Sequence, residues 1–405
     1  MERGSRLEQK LKRNRQLALL GAAHSLNHSL FVIAPPLLTI IMASLSVSKT
    51  EIGLVSMFAS FIYGVGALVG GPLGDRIGEA KTITIYLTLS GLSTLIMLAA
   101  GFTASIYVYA LALISMAVWA SFYHPTANSL ISKTFKGKVS ESMGLHGVGG
   151  TLGTVLTPTI AWFIGATFGW AWAFVAFGLS CVLLALFFVK SFGKSENRSI
   201  KGGTIIDALK IRELWILLIF NVAIGLFMKG VELYFPTYLY DDKLIGFGLT
   251  EEERGMWASI AYTLVLAVGV PAQWIGGKTA DKIGSKKVLI ATSAGVCLSL
   301  LSILLFPVGI IGIALFIVLY GLSFYAHQPA LNSLTGFCCP QNQRGAVYGI
   351  FFFTSFGIGS LSQSVAGYVA DNYGGLTTSF YVLTIFALAA LLLSLKLPEK
   401  KEIDT

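Results

Sequence analysis

Runs of mostly apolar residues follow one another along the chain. They lie near 17–44, 51–74, 81–101, 104–132, 141–166 and 170–190, then near 213–240, 254–277, 286–306, 309–336, 343–370 and 376–397. About 20 apolar residues in a helix cross the hydrocarbon of a bilayer, and only structures that satisfy their own backbone polar groups do so. The pattern therefore predicts an all-α membrane protein with twelve transmembrane helices. The one long polar interior stretch, 191–212, is the natural linker. It separates a six-helix bundle over 17–190 from a second over 213–397, with short tails at 1–16 and 398–405. The first run is too long for a signal-peptide core and lacks a small-residue cleavage site, so it reads as a retained membrane helix.

Composition changes this picture little. Hydrophobic residues make up 55% of the 405 and charged residues 12%, with a mean hydropathy of +0.74. A soluble surface this large needs more charge. Cys181, Cys297, Cys338 and Cys339 have no CxxC spacing, so neither a disulfide framework nor a metal site is expected. No cofactor is expected either.

Charge adds orientation. A net charge of +9 could draw nucleic acid, but its placement points to membrane topology instead. The N-terminal tail, Arg76 and Lys81, Lys133, Lys136 and Lys138, the linker, Lys278 to Lys287, Arg344 and the C-terminal lysines all fall on one side. The other side has little beyond Lys49, Lys243 and Arg254, beside the acidic Asp241, Asp242 and Glu251 to Glu253. By the positive-inside rule both termini and the linker are cytoplasmic, and the protein sits in the cell membrane with no nucleic-acid partner.

The two halves repeat each other. Gly71-Pro-Leu-Gly-Asp75-Arg76-Ile-Gly78 recurs as Gly277-Lys-Thr-Ala-Asp281-Lys282-Ile-Gly284, and His124-Pro125-Thr-Ala-Asn128 recurs as Gln328-Pro329-Ala-Leu-Asn332. His28 and Pro35 align with Lys229 and Pro236, and all three matches have offsets between 201 and 206 residues. Parallel repeats of this kind are known in one large class of transporters. The Gly71 to Gly78 motif with Lys81, repeated after the eighth span, resembles the signature of the major facilitator superfamily over essentially the whole chain. His124-Pro125 and Gly147-x-Gly149-Gly150 are similar to the fosmidomycin-resistance-like branch. The resemblance implies two pseudo-symmetric six-helix bundles, alternating access, coupling to a proton or counter-ion, and a monomer. It also implies a cytoplasmic gate at Gly71, Asp75, Arg76 and Gly78 and at Asp281 and Lys282, with the first copy favoured. The bland alternative is a turn fixed for topology. Neither the fourth-span arginine nor the fifth-span Gly-Pro motif of the family's antiporters is present as such, which weakens a drug–proton antiporter reading.

Candidate chemistry follows from ionisable and amide side chains inside the spans, where they are costly and usually face a cavity or a partner. All five histidines lie in spans. His24, Asn27 and His28 share one face of the first helix, and His124 and Asn128 one face of the fourth. Asn221, Lys229 and Glu232 form a stripe on the seventh, and Gln328 and Asn332 one on the tenth. The resemblance makes these four helices the lining of a central cavity, so the ten residues are candidate solute contacts. His28, His124 and Glu232 are candidates for proton coupling. Each has a duller reading. His146 and His327 are as readily satisfied by backbone carbonyls, Asn128 and Asn332 can be interhelical glue, and Lys229 and Glu232 can simply neutralise each other. A proton-linked carrier of a small anionic or zwitterionic solute is the leading expectation, with drug efflux on the same fold as the alternative. A membrane-embedded enzyme has only the His24/His28 pair and no HExxH pattern in its favour. A sensor lacks the usual long cytoplasmic extension.

Overall fold

The computed structural model describes residues 2–135, 138–192, 205–306, 309–340 and 343–399. Most of the expected linker, the C-terminal residues from 400 on and Lys136 lie outside the described residues.

Among the described residues, twelve helices are long and apolar enough to span a membrane. They are α1 (Leu11–Leu45), α2 (Lys49–Ile77), α3 (Glu79–Thr103), α4 (Ile106–Thr134), α5 (Glu141–Phe168), α6 (Trp170–Ser191), α7 (Arg212–Lys243), α8 (Glu251–Ile283), α9 (Ser285–Leu305), α10 (Ile310–Phe337), α11 (Arg344–Asn372) and α12 (Gly375–Ser394). Large apolar side chains stay exposed along them, as with Leu183, Leu186 and Phe187 on α6. Such a surface is suited to lipid rather than water. This is a multi-pass membrane protein.

Helix α1 is helical from Glu2, so its N-terminal end extends into the tail, and it breaks at Ile33 just ahead of Pro35 and Pro36. Helix α4 breaks at Ser121 and Phe122, ahead of Pro125; proline has no N–H to continue the ladder. Pro236 behaves differently. It lies within regular helix, and a π turn over Leu239–Lys243 follows it. In α11 a π turn at Phe353–Gly357 and a 3-10 turn at Ile358–Ser360 interrupt the helix without any proline.

The sequence repeat is also a packing repeat. A Cβ on Gly70 of α2 would lie 2.8 Å from the Phe122 Cα of α4, and one on Gly276 of α8 would lie 2.6 Å from the Ala326 Cα of α10. Both crossings need glycine because backbone meets backbone. The loops after α2 and α8 also match, with Gly78 at φ 96°, ψ 133° and Gly284 at φ 94°, ψ 143°. An L side chain is strained at such φ.

Two compact units emerge from the packing. One comprises Met1–Ile33 with Ile62–Ile200, the other Ala34–Phe61 with Lys201–Thr405. The assignment of 34–61 to the second unit has a visible cause. Tyr234 Oη donates to the Lys49 carbonyl at 2.7 Å, and Lys49 pairs with Asp241 at 3.0 Å. The backbone N–H and hydroxyl of Thr50 donate to one Asp371 oxygen at 2.7 and 2.6 Å.

Candidate functional site

In the first unit α5 presents glycine to α1. A Cβ at Gly149 would meet the Gly21 carbonyl at 2.4 Å, and one at Gly153 the Ser25 carbonyl at 2.2 Å. At Gly150 it would strike the His24 ring, 2.5 Å from Cε1. Gly144 and Gly147 have no such neighbour, so of the five glycines from Gly144 to Gly153 only Gly149, Gly150 and Gly153 pack on α1.

Four of the five histidines collect here. The rings of His24 and His28 are 4.8 Å apart, and His124 of α4 lies 5.1 Å from the first and 5.3 Å from the second. His146 of α5 stacks on His24 at 4.1 Å and 11°. Their hydrogen bonds settle two tautomers. A carbonyl only accepts, so the 2.8 Å contact between His24 Nδ1 and the His146 carbonyl places a proton on Nδ1. Tyr123 Oη gives its hydrogen to the Leu20 carbonyl at 2.7 Å, so its 2.8 Å contact with His146 Nε2 is donated by the histidine. His28 Nε2 and His24 Nε2 are 3.1 Å apart.

Asn27 is fully buried, donating to the Ala120 carbonyl at 2.9 Å and accepting from Tyr63 Oη at 2.8 Å. It ties α1 to α2 and to the α4 break. Asn128 is exposed, as are Gln328 and Asn332 on α10. His327 is buried and bonds the Phe324 carbonyl.

In the second unit Lys229 is 5% exposed. Its Nζ lies 2.6 Å from a Glu232 oxygen and 4.0 Å from the Phe356 ring centroid. Phe356 sits in the π turn of α11, and Asn221 holds that turn. Its amide donates to the Phe351 carbonyl and the Thr354 hydroxyl, both at 2.7 Å, and accepts from Ser355 at 2.9 Å. Both polar atoms of the Asn221 amide are thus engaged by α11.

Glu232 also lines a narrow cavity with Tyr262, Tyr320, Tyr325, Phe316 and Phe324, with room for about one water-sized sphere. The hydroxyls of Tyr262 and Tyr320 are buried and have no partner among the described residues. A buried hydroxyl without a partner costs about 1–3 kcal/mol. Sequence reading missed these tyrosines because a helical tyrosine is ordinarily apolar filling; only their convergence on Glu232 marks them.

At the repeated loops, Asp75 lies 3.5 Å from Lys133 of α4, which also pairs with Glu79. Ser129 donates to Glu79 at 2.9 Å. The cation beside Asp75 thus comes from α4. In the second copy Asp281 and Lys282 are exposed, and Asp281 has no ion-pair partner among the described residues. The cysteines are free and buried. At the end of α10, burial pushes the Cys338 thiol up to about 11.

Twelve spanning helices in two pseudo-symmetric sets of six, with charged and imidazole groups buried inside them, define a polytopic solute carrier. The chain belongs to the Major Facilitator Superfamily, whose profile matches residues 17–362. It is a secondary transporter of that family, not an enzyme. It is 27% identical to the fosmidomycin resistance protein of Escherichia coli (strain K12), covering 96% of this chain and 94% of that one. It is 23% identical to the hexuronate transporter of Bacillus subtilis (strain 168), covering 93% and 92%. Its fold matches the inward-facing crystal structure of a bacterial homologue of the human lysosomal transporter Spinster. The TM-score is 0.76 at 16% identity, over 95% of this chain and 98% of that one.

Proposed function

We propose that this transporter carries a small organic anion or zwitterion together with a proton, as a monomer in the plasma membrane. Both termini and the linker are cytoplasmic, and nucleic acid plays no part. The loop carrying Asp75 is the cytoplasmic gate, with Lys133 as its counter-charge. The observation that carries the solute assignment is the Lys229–Glu232 pair, at 2.6 Å within a membrane helix.

Coupling follows from competition for one ammonium. While Glu232 is ionised it holds Lys229. A proton on Glu232 neutralises it and weakens the pair, leaving the buried ammonium to take a solute carboxylate. Proton and anion then bind together, with no net change of charge in the site. The unpartnered hydroxyls of Tyr262 and Tyr320 supply donors for solute oxygens beside Glu232. Hexuronate, named for one relative, is a carboxylate of this class.

Purified protein in proteoliposomes tests this, with small carboxylates screened first by thermal shift. Lys229→Ala is expected to lose uptake of any solute found. Glu232→Gln is expected to keep solute counterflow while losing accumulation driven by a pH gradient. Unchanged transport by Lys229→Ala would dispose of the assignment. Efflux is the second reading, favoured by the similarity to a resistance protein; solute extrusion against an inward proton gradient would establish it.

A further inference from the structure

We propose that His24, His28 and His124 form a binding site for a borderline divalent transition-metal ion, of the zinc, cobalt or nickel class. Sequence spacing offered only the pair on α1, and no metal site was expected; the third imidazole arrives from α4 through the fold. One ring nitrogen from each residue lies within 4.8 Å of the others. His24 and His28, one helical turn apart, already bring two nitrogens to 3.1 Å. Metal–nitrogen bonds of about 2.0–2.1 Å in a tetrahedron place ligand nitrogens about 3.4 Å apart. Closing the widest gap takes a shift of about 1.4 Å, within reach of side-chain rotation.

The surroundings are those of a held ligand. Histidines that bind metal usually donate their other ring N–H to a carbonyl or carboxylate, which fixes the ring and leaves a lone pair facing the ion. His24 does this through Nδ1 to the His146 carbonyl. Its ring rests on Gly150, where no other residue leaves room, and against the His146 ring. His146 is itself committed to Tyr123 and lies outside the ligand set. His28 would present Nε2 to the ion by moving its proton to Nδ1, so the imidazole stays neutral and no proton is lost. Three nitrogen donors without a carboxylate favour borderline ions over magnesium or calcium. Three protein ligands leave a fourth position open.

The assignment is independent of the solute reading above, since it is tested at equilibrium in detergent without transport. The full chain, purified without a polyhistidine tag, would be titrated with cobalt(II) and the visible ligand-field bands followed. One ion per chain is expected, displaced by zinc. Affinity should fall on the order of 100-fold or more in His28→Asn and His124→Asn and hold in His327→Asn. Zinc-edge X-ray absorption on the unmutated protein checks the ligands without any variant, with three imidazole nitrogens at about 2.0 Å expected. No cobalt binding by the unmutated chain, binding that survives both substitutions, or sulfur or all-oxygen neighbours at the zinc edge would overturn the site.

Discussion

Single side chains account for the least obvious parts of this transporter. Gly150 is where it is because the His24 ring occupies the place of a Cβ. Gly150→Ala is expected to cost about 1–3 kcal/mol through overpacking, read as a lower thermal midpoint in detergent; an unchanged midpoint would mean the ring moves aside freely. Gly147→Ala on the same helix meets no neighbour and should leave the midpoint alone. Much at this scale was legible beforehand. The histidines stood out because all five fell in spans, and Lys229 and Glu232 because charge is rare at membrane depth. What spacing could not supply was the destination of each hydrogen bond. Asn27 and Asn221 read as solute contacts along a helix face, yet every amide atom of both is spent on neighbouring helices.

At the scale of the element, the runs of apolar residues located most helix ends to within a few residues, though the first helix starts at Glu2 and the eighth reaches Ile283, and the glycine loops located the repeat. The breaks in α1 and α4 could be anticipated from Pro35, Pro36 and Pro125. The π turn of α11 could not, since Phe353-Thr-Ser-Phe-Gly357 contains no helix breaker beyond its glycine. It depends on a partner from elsewhere, the Asn221 amide, and on Gly225, where a Cβ would sit 2.7 Å from the Ser355 carbonyl. Asn221→Ala should therefore destabilise the protein by about 1–3 kcal/mol by stripping buried groups of their partners. It should also weaken solute binding by releasing Phe356 from Lys229. A thermal midpoint and a solute affinity both equal to the parent's would show that α11 holds its turn unaided.

For the whole molecule, the sequence repeat foretold two halves but not the allegiance of residues 34–61, which pack with the second unit. Hydrophobic pattern and repeat describe each helix alone, whereas that allegiance comes from a few polar ties far apart in sequence. Thr50 to Asp371 is the tightest of them, at 2.6 and 2.7 Å. We propose that this tie opens in every transport cycle. A Thr50→Cys, Asp371→Cys pair oxidised to a disulfide is expected to abolish transport, with recovery on reduction. The native cysteines are buried, so they give little background. Transport that persists after oxidation would show that the tie can stay shut throughout.

The two copies of the Asp-containing loop share a bend but not a fastening. In the first copy a lysine from α4 stitches Asp75 to the nearly hidden Glu79, while the second keeps the glycine turn with no ion pair at Asp281 among the described residues. Freeing the first loop therefore means parting charges, and freeing the second does not.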